Sequence, residues 1–132
     1  MNVQVSALKQ EVSSIKNEVA LVKGTIHVSP LSYYRSMFVI KSDMRNVKLR
    51  GDFREAGNTD FYTYVFDDLN FQNWAASADS KAIYSSGKVV VGKISLNIAI
   101  PGTYYVVFSN KHSLFTSKNV EAAIYLEFEA KS

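Results

Sequence analysis

The chain has 132 residues, 47% hydrophobic and 20% charged, enough for one packed domain with an appendage and too few for two ordinary domains. It contains no cysteine, which excludes disulfide scaffolds, thiol catalysis and Cys-ligated zinc or iron–sulfur centres, and its two histidines, His27 and His112, leave little for a histidine-rich metal site. The net charge of +3 falls short of a dedicated nucleic-acid binder, and no apolar run approaches the ~18–20 residues of a membrane-spanning helix.

At the N-terminus, Val5, Leu8, Val12, Ile15, Val19, Val22 and Ile26 recur at alternating spacings of three and four. This spacing predicts a coiled-coil helix over 1–26, with no Pro or Gly before Gly24. Glu11 and Glu18 fall at g and Lys16 and Lys23 at e, placed to pair across parallel chains. Ile15 and Val22 at d favour a homotrimer over a dimer. Gly24 and Pro30 close the helix, and residues 27–32 form the expected hinge. The first residues lack the basic-then-apolar order of a secretory signal. Because the chain begins inside the repeat, a signal or anchor further upstream is compatible with it.

From residue 33 to 132 the composition changes to short Tyr, Phe, Val and Ile runs separated by Gly, Asn, Asp and Ser, which predicts strands and turns. Expected strands cover Tyr34 to Lys41, Asn46 to Phe53, Phe61 to Asp67, Ala82 to Tyr84, Val89 to Ile100, Thr103 to Ser109 and Val120 to Glu129. In the last, Val120, Ala122, Ile124, Leu126 and Phe128 alternate with Glu121, Ala123, Tyr125, Glu127 and Glu129, so one face is buried and the other wet. Turns are marked at Gly57-Asn58, Ser86-Gly87 and Pro101-Gly102. The expected fold is mainly β, an antiparallel sandwich of jelly-roll type behind an N-terminal coiled coil.

The order Gly102, Tyr104, Phe108, Asn110, Ser113, Lys118 and Val120 resembles the end of a GOLD-type domain, and Gly51-Asp52-Phe53, Asn58 to Phe61, Val65 to Asp67, Asn70-Phe71 and Trp74 resemble the earlier part of GOLD-like domains in prokaryotic proteins. The likeness covers roughly Tyr34 to Phe128. It implies a β-sandwich with an interaction role and no reaction. Cargo receptors with this domain place their coiled coil and membrane span after the sandwich and many carry paired cysteines, so coat recruitment is not implied here. Tyr104, Val106 and Phe108 also read as one inward row of a strand, and Asn110 as a turn amide bonding its own loop.

The residues carry little chemistry. Asp60, Asp67 and Asp68 match no calcium loop, His112 beside Ser113 lacks a third group, and no nucleophile elbow, phosphate loop or His-Glu-x-x-His occurs. No cofactor, metal or catalytic residue is assigned. Adjacent Tyr104 and Tyr105, like Tyr33 and Tyr34, must face opposite ways on a strand, which predicts that one of each pair meets solvent or a partner. Asn70 and Trp74, on a predicted loop, and Tyr105 are the candidate ligand contacts. Arg35, Lys41, Arg45, Lys48, Arg50 and Arg54 cluster in sequence and suggest a weak anionic-surface patch.

These features predict a non-enzymatic, oligomeric protein-interaction module: a sandwich displayed on a parallel coiled-coil stalk, binding itself and an unidentified protein, with no nucleic acid expected. Membrane contact is expected only through an upstream segment or the weak basic patch, and an extracytoplasmic or membrane-associated surface is the expected setting. The alternatives are a structural surface component, such as a trimeric fibre-type or complement- or tumour-necrosis-factor-like head, and a carbohydrate- or lipid-binding head.

Overall fold

A computed structural model describes residues 14–131. Strands β1 (Ser14–Val28), β2 (Tyr33–Ile40), β3 (Met44–Glu55) and β4 (Phe61–Asp67) are followed by helix α1 (Asp68–Ala75) and strands β5 (Tyr84–Val89), β6 (Val91–Asn97), β7 (Gly102–Ser109) and β8 (Lys118–Lys131). They form two four-stranded antiparallel sheets, ordered β1-β8-β3-β6 and β2-β7-β4-β5. The pairings β1 with β8, β2 with β7, β3 with β6 and β4 with β5 are those of one long hairpin. Additional pairs β3 with β8 and β4 with β7 roll it into a sandwich, the jelly-roll connectivity.

Alternation decides which side chains enter the sandwich. Val120, Ala122, Ile124 and Leu126 of β8 are buried, as are Val47, Leu49 and Phe53 of β3 and Tyr104, Val106 and Phe108 of β7. Phe53, Phe61 and Phe108 form the aromatic centre, with Phe61 edge-on to both others at 5.6 and 6.0 Å.

The expected strand Phe61–Asp67 is observed as such, and those at Tyr34 to Lys41, Asn46 to Phe53, Thr103 to Ser109 and Val120 to Glu129 shift by a few residues at their ends, whereas the piece expected at Ala82 to Tyr84 shares only Tyr84 with β5, which runs through the expected Ser86-Gly87 turn to Val89. The stretch Val89 to Ile100, read as one strand, is instead split. The chain leaves one sheet at Val89 and enters the other at Val91, while the Val90 carbonyl between them accepts the Glu55 N–H at 2.8 Å.

Over the described residues 14–26 the N-terminal expectation is overturned. Val5, Leu8 and Val12 lie outside the described residues, but residues 14–26 are strand and not helix, paired with β8 from Ser14 opposite Lys131 to Val28 opposite Lys118. From Ile15 to Ile26 the heptad spacing coincides with the parity of a bulged strand. In a regular strand Val19 and Val22 would face opposite ways, but a bulge between Ala20 and Val22 takes up one residue. Val19 then lies opposite Leu126, Val22 opposite Ile124 and Ile26 opposite Val120, all on the inward face. Val22 is fully buried there, whereas Val19, near the outer end of the strand, stays 45% exposed. Ile15 lies in the same strand, opposite Ala130, and Gly24 sits within it opposite Ala122 instead of ending a helix. Glu18 pairs with Arg50 of its own chain, not with Lys23 of a neighbour. Over these residues the seam assigned to trimerisation is part of the sandwich.

Residues 27–32 are not a hinge either. His27 and Val28 complete β1, and Ser29 to Ser32 make a tight turn closed by Ser32 N–H to Ser29 O at 3.3 Å. Leu31 N–H donates to Ser113 O at 2.9 Å, and Asn110 N–H to Ser32 O at 2.8 Å. The fully buried Asn110 side chain donates from Nδ2 to Thr116 O in its own loop at 2.8 Å, and to Val28 O and Ser29 O, both at 3.2 Å. One amide thus ties the β1–β2 turn to the β7–β8 loop.

Candidate functional site

The outer face of the β2-β7-β4-β5 sheet collects the aromatic residues the sandwich does not use. In β4, Phe61, Thr63 and Val65 point inward, so Tyr62, Tyr64 and Phe66 point outward. Registers place Tyr33, Ser109 and Tyr62 in one outward row, Arg35, Val107 and Tyr64 in the next, and Met37, Tyr105 and Phe66 in a third. Phe66, Tyr105 and Val107 are nevertheless buried, because α1 lies across that end of the sheet.

Helix α1 begins where Asp67 caps it, accepting the Asn70 N–H at 2.8 Å. Phe71 and Trp74, three apart, face the sheet. Phe71 stacks on Tyr105 with centroids 4.1 Å apart, and Arg35 covers both rings at 5.6 and 5.8 Å. The Tyr105 hydroxyl donates to Asp68 Oδ1 at 3.1 Å, and burial followed by that bond raises its pKa. Tyr104 and Tyr105 do face opposite ways, yet neither meets solvent: both are 6% exposed, one inside the sandwich and one under α1. Tyr33 and Tyr34 divide likewise between the two clusters, both half-buried.

The segment read as a recognition loop is therefore a helix, and its candidate contacts have different roles. The Asn70 amide is used internally, its Nδ2 donating to Asp67 Oδ1 at 2.9 Å and its Oδ1 accepting Lys81 N–H at 2.9 Å. Tyr105 supports the helix. Trp74 alone of the three lines an open groove, of about 320 Å³, with Tyr62, Tyr64, Ser109, Lys111 and His112.

Within the groove the Tyr62 and Tyr64 rings are parallel within 4°, centroids 6.1 Å apart. Burial, and then the neighbouring Tyr62, raise the Tyr64 pKa. Trp74 lies 5.6 Å from Tyr64 and 4.9 Å from Tyr33, edge-on to the latter. The Lys111 ammonium stands over Trp74 at 4.1 Å and near Tyr33 at 5.2 Å, and has no acidic partner within ion-pair reach among the described residues. His112 packs edge-on to Tyr62 at 5.1 Å and is held by Asp60 Oδ1, 3.0 Å from its Nε2. That hydrogen bond, with Lys88 adding to it at 3.7 Å, holds the Asp60 carboxyl below its ordinary range. Tyr62, Tyr64, Lys111 and His112 were missed in the sequence. The available signal was Phe61 to Phe66, whose alternation leaves two tyrosines on an outer face.

The sequence cluster of basic residues does not form an anionic-surface patch. Arg35 lies on the β2-β7-β4-β5 sheet, whereas Arg45, Lys48 and Arg54 on β3 lie opposite Glu129, Glu127 and Glu121 on β8. Arg50 bonds both Glu127 and Glu18 and covers the Tyr125 ring at 4.9 Å. The wet face of that sheet is a ladder of matched charges. Its hollow of about 690 Å³ has Asp52, Arg54, Lys93 and Glu121 among its walls, acids and bases in balance. Among the described residues no group of three or more His, Asp or Glu is placed to hold a metal ion.

No protein-family model matches the sequence, and no curated protein matches it significantly. Solved structures share the fold at low identity. The Yersinia pseudotuberculosis-derived mitogen aligns over 89% of this chain and 88% of its own with 11% identity and a TM-score of 0.50. The Tobacco streak virus coat protein aligns over 92% and 88% with 10% identity and a TM-score of 0.50. Dimeric latent PorU from Porphyromonas gingivalis aligns over 90% of this chain but 13% of its own, with 6% identity and a TM-score of 0.51. At these identities the likeness is one of fold, a β-sandwich used by proteins of unrelated roles.

Proposed function

We propose that the chain is a non-enzymatic binding module that takes a saccharide on the groove between Tyr62, Tyr64 and Trp74. The observation that carries this reading is the convergence of three aromatic rings with a lysine, a histidine and a serine around one open groove. Ring faces match the apolar C–H faces of a pyranose, and the phenol hydroxyls, the Lys111 ammonium and the His112 imidazole supply hydrogen bonds for its hydroxyls. The groove rests on strands and on a helix pinned by Phe71, so its rings are held before a ligand arrives. The fold supports a binding role as readily as a structural one, and the resemblance to GOLD-type domains is carried only as part of this proposal: Gly102, Tyr104, Phe108 and Asn110 build β7 and the loop beside the groove.

A glycan array probed with the labelled chain, followed by titration calorimetry on the glycans retained, tests it. Tyr62→Ala and Trp74→Ala are expected to weaken binding by about tenfold or more with the circular dichroism spectrum unchanged. An array blank for the wild type, or affinities unmoved by both substitutions, sinks the reading.

A second reading, self-association by strand addition, is favoured by β1. Among the described residues this long strand pairs only with β8, leaving its other edge without a strand partner. It predicts a solution mass above that of the monomer, which falls to the monomer in Leu21→Pro, measured by light scattering across concentration; a monomer throughout excludes it.

A further inference from the structure

At the end of the sandwich where β1 meets β2 and β7 meets β8, three large apolar side chains stand out of the protein. Leu31 is 58% exposed, Leu114 65% and Phe115 90%. They belong to one tip, because the Leu31 N–H is bonded to the carbonyl of Ser113, next to Leu114. The tip is built and held. The buried Asn110 amide ties carbonyls of both loops, and Ser113 Oγ closes its own loop by accepting Thr116 N–H at 3.2 Å and donating to Thr116 O at 3.1 Å.

Leu31 also occupies a conformation that leucine avoids. It follows Pro30 in the tight turn with φ 59°, at the position where such turns ordinarily carry Gly or Asn. A strained, exposed leucine beside an almost fully exposed phenylalanine has no packing role in the chain itself, and displayed apolar groups on a rigid base are characteristic of contact sites.

The shape and chemistry of the tip indicate what receives it. A side chain 90% exposed protrudes, so a protein partner would have to supply a matching pocket, whereas hydrocarbon accepts any outline. The loops Ser29 to Ser32 and Asn110 to Ser117 contain Lys111 and His112 and no Asp or Glu. Lys111 sits on Trp74 and Tyr33 at the base of the tip, a lysine with amphipathic rings at the level where a bilayer's headgroups would lie. The acids near the base of the tip are engaged, Asp60 by His112 and Lys88 and Glu55 by Thr59 and the Asn119 N–H.

We propose that Leu31, Leu114 and Phe115 form a docking tip that inserts into the surface of an anionic lipid bilayer, with Lys111 facing the lipid headgroups. This goes beyond the saccharide groove, and sugar-free vesicles keep the two apart. The full chain is mixed with phosphatidylcholine vesicles containing roughly 30% phosphatidylserine, and with phosphatidylcholine alone, and sedimented. The wild type is expected to partition onto the anionic vesicles, with a shift in the emission of Trp74, the single tryptophan. Leu114→Ser with Phe115→Ser should cut the partition coefficient by about tenfold or more. Leu31→Asn, which suits the turn's backbone, gives a second, less disruptive variant with a smaller loss. A wild type that stays in the supernatant, or folded variants that partition as it does, overturns the proposal. So does a wild-type oligomer that the double substitution dissociates, since the tip would then be a contact between copies.

Discussion

Gly51→Ala is expected to destabilise the sandwich by about 3 kcal/mol or more, lowering Tm by about 10 °C or more. Gly51 lies in the middle of β3, opposite Ile124 of β8 on one side and Ile94 of β6 on the other. A Cβ built there would overlap the Ala123 carbonyl oxygen and stand 2.6 Å from Ile124 Cα. Both obstacles are backbone, so no side-chain rotation relieves them, and β3 must part from β8 at the centre of the sheet. Two other glycines calibrate the effect. At Gly92 the obstacle is the Phe53 ring at 2.7 Å, a side chain able to shift at the cost of core packing. At Gly87 nothing lies within 4 Å, and only its φ of 69° opposes alanine, a penalty of about 1 kcal/mol. Urea denaturation of the three alanine variants should rank the losses Gly51, then Gly92, then Gly87. A Gly51→Ala protein as stable as Gly87→Ala would show that β3 and β8 are not in contact at this register.

Glu55 carries the second large effect. Its residue is 2% exposed, at the end of β3. Burial by itself raises the carboxyl's pKa, but hydrogen bonds from the Thr59 hydroxyl and from the N–H groups of Asn119, Thr59 and Gly57 outweigh it, so that the pKa falls from 4.5 to about 2. Oε1 accepts the Thr59 N–H and hydroxyl at 2.8 and 2.7 Å, and Oε2 accepts the Asn119 N–H at 3.0 Å. One carboxylate thereby fastens the β3–β4 turn to the start of β8. Because the folded pKa lies below the unfolded one, the unfolded chain binds the proton more readily at low pH. The carboxylate's contribution is full above about pH 4.5 and is lost as pH falls toward 2, amounting to about 3 kcal/mol. Glu55→Gln leaves an acceptor for Thr59 and turns an amide N–H against that of Asn119. It should cost about 2–3 kcal/mol at pH 7, and the difference from wild type should shrink toward pH 2. Chemical denaturation of both proteins across that range measures it. Parallel stability curves, with the gap constant to pH 2, would mean that the carboxylate is not held in this way.

The two predictions concern backbone approach and buried charge, neither of which local periodicity reports. The sandwich itself was legible because its strands obey one rule, an apolar residue at every second position with a turn former after it. Phe61 to Asp67 and the alternating half of β8 follow it, and Pro101-Gly102 stands where β7 begins. The groove was only half legible. Trp74 was marked as an aromatic outside the strand pattern, whereas Tyr62 and Tyr64 read as ordinary strand residues until β7 and α1 fixed which part of the outer face stayed open.

The sequence by itself determined the all-β core, the turns at Gly57-Asn58 and Pro101-Gly102, and the absence of cysteine chemistry, since these depend on residue types and on spacings within a single strand. Tertiary structure decided the state of residues 14–26, the fate of the paired tyrosines and the balance of the basic strand. Val19, Val22 and Ile26 satisfy a heptad and a bulged strand equally well, and pairing with β8 settles it. Tyr105 is covered because an eight-residue helix, too short to announce itself by periodicity, is pinned over it by Phe71. Arg45, Lys48 and Arg54 meet Glu129, Glu127 and Glu121 only because β3 and β8 lie side by side. In each case the deciding partner is distant in sequence, and a pattern read along one strand contains no information about what will lie across from it.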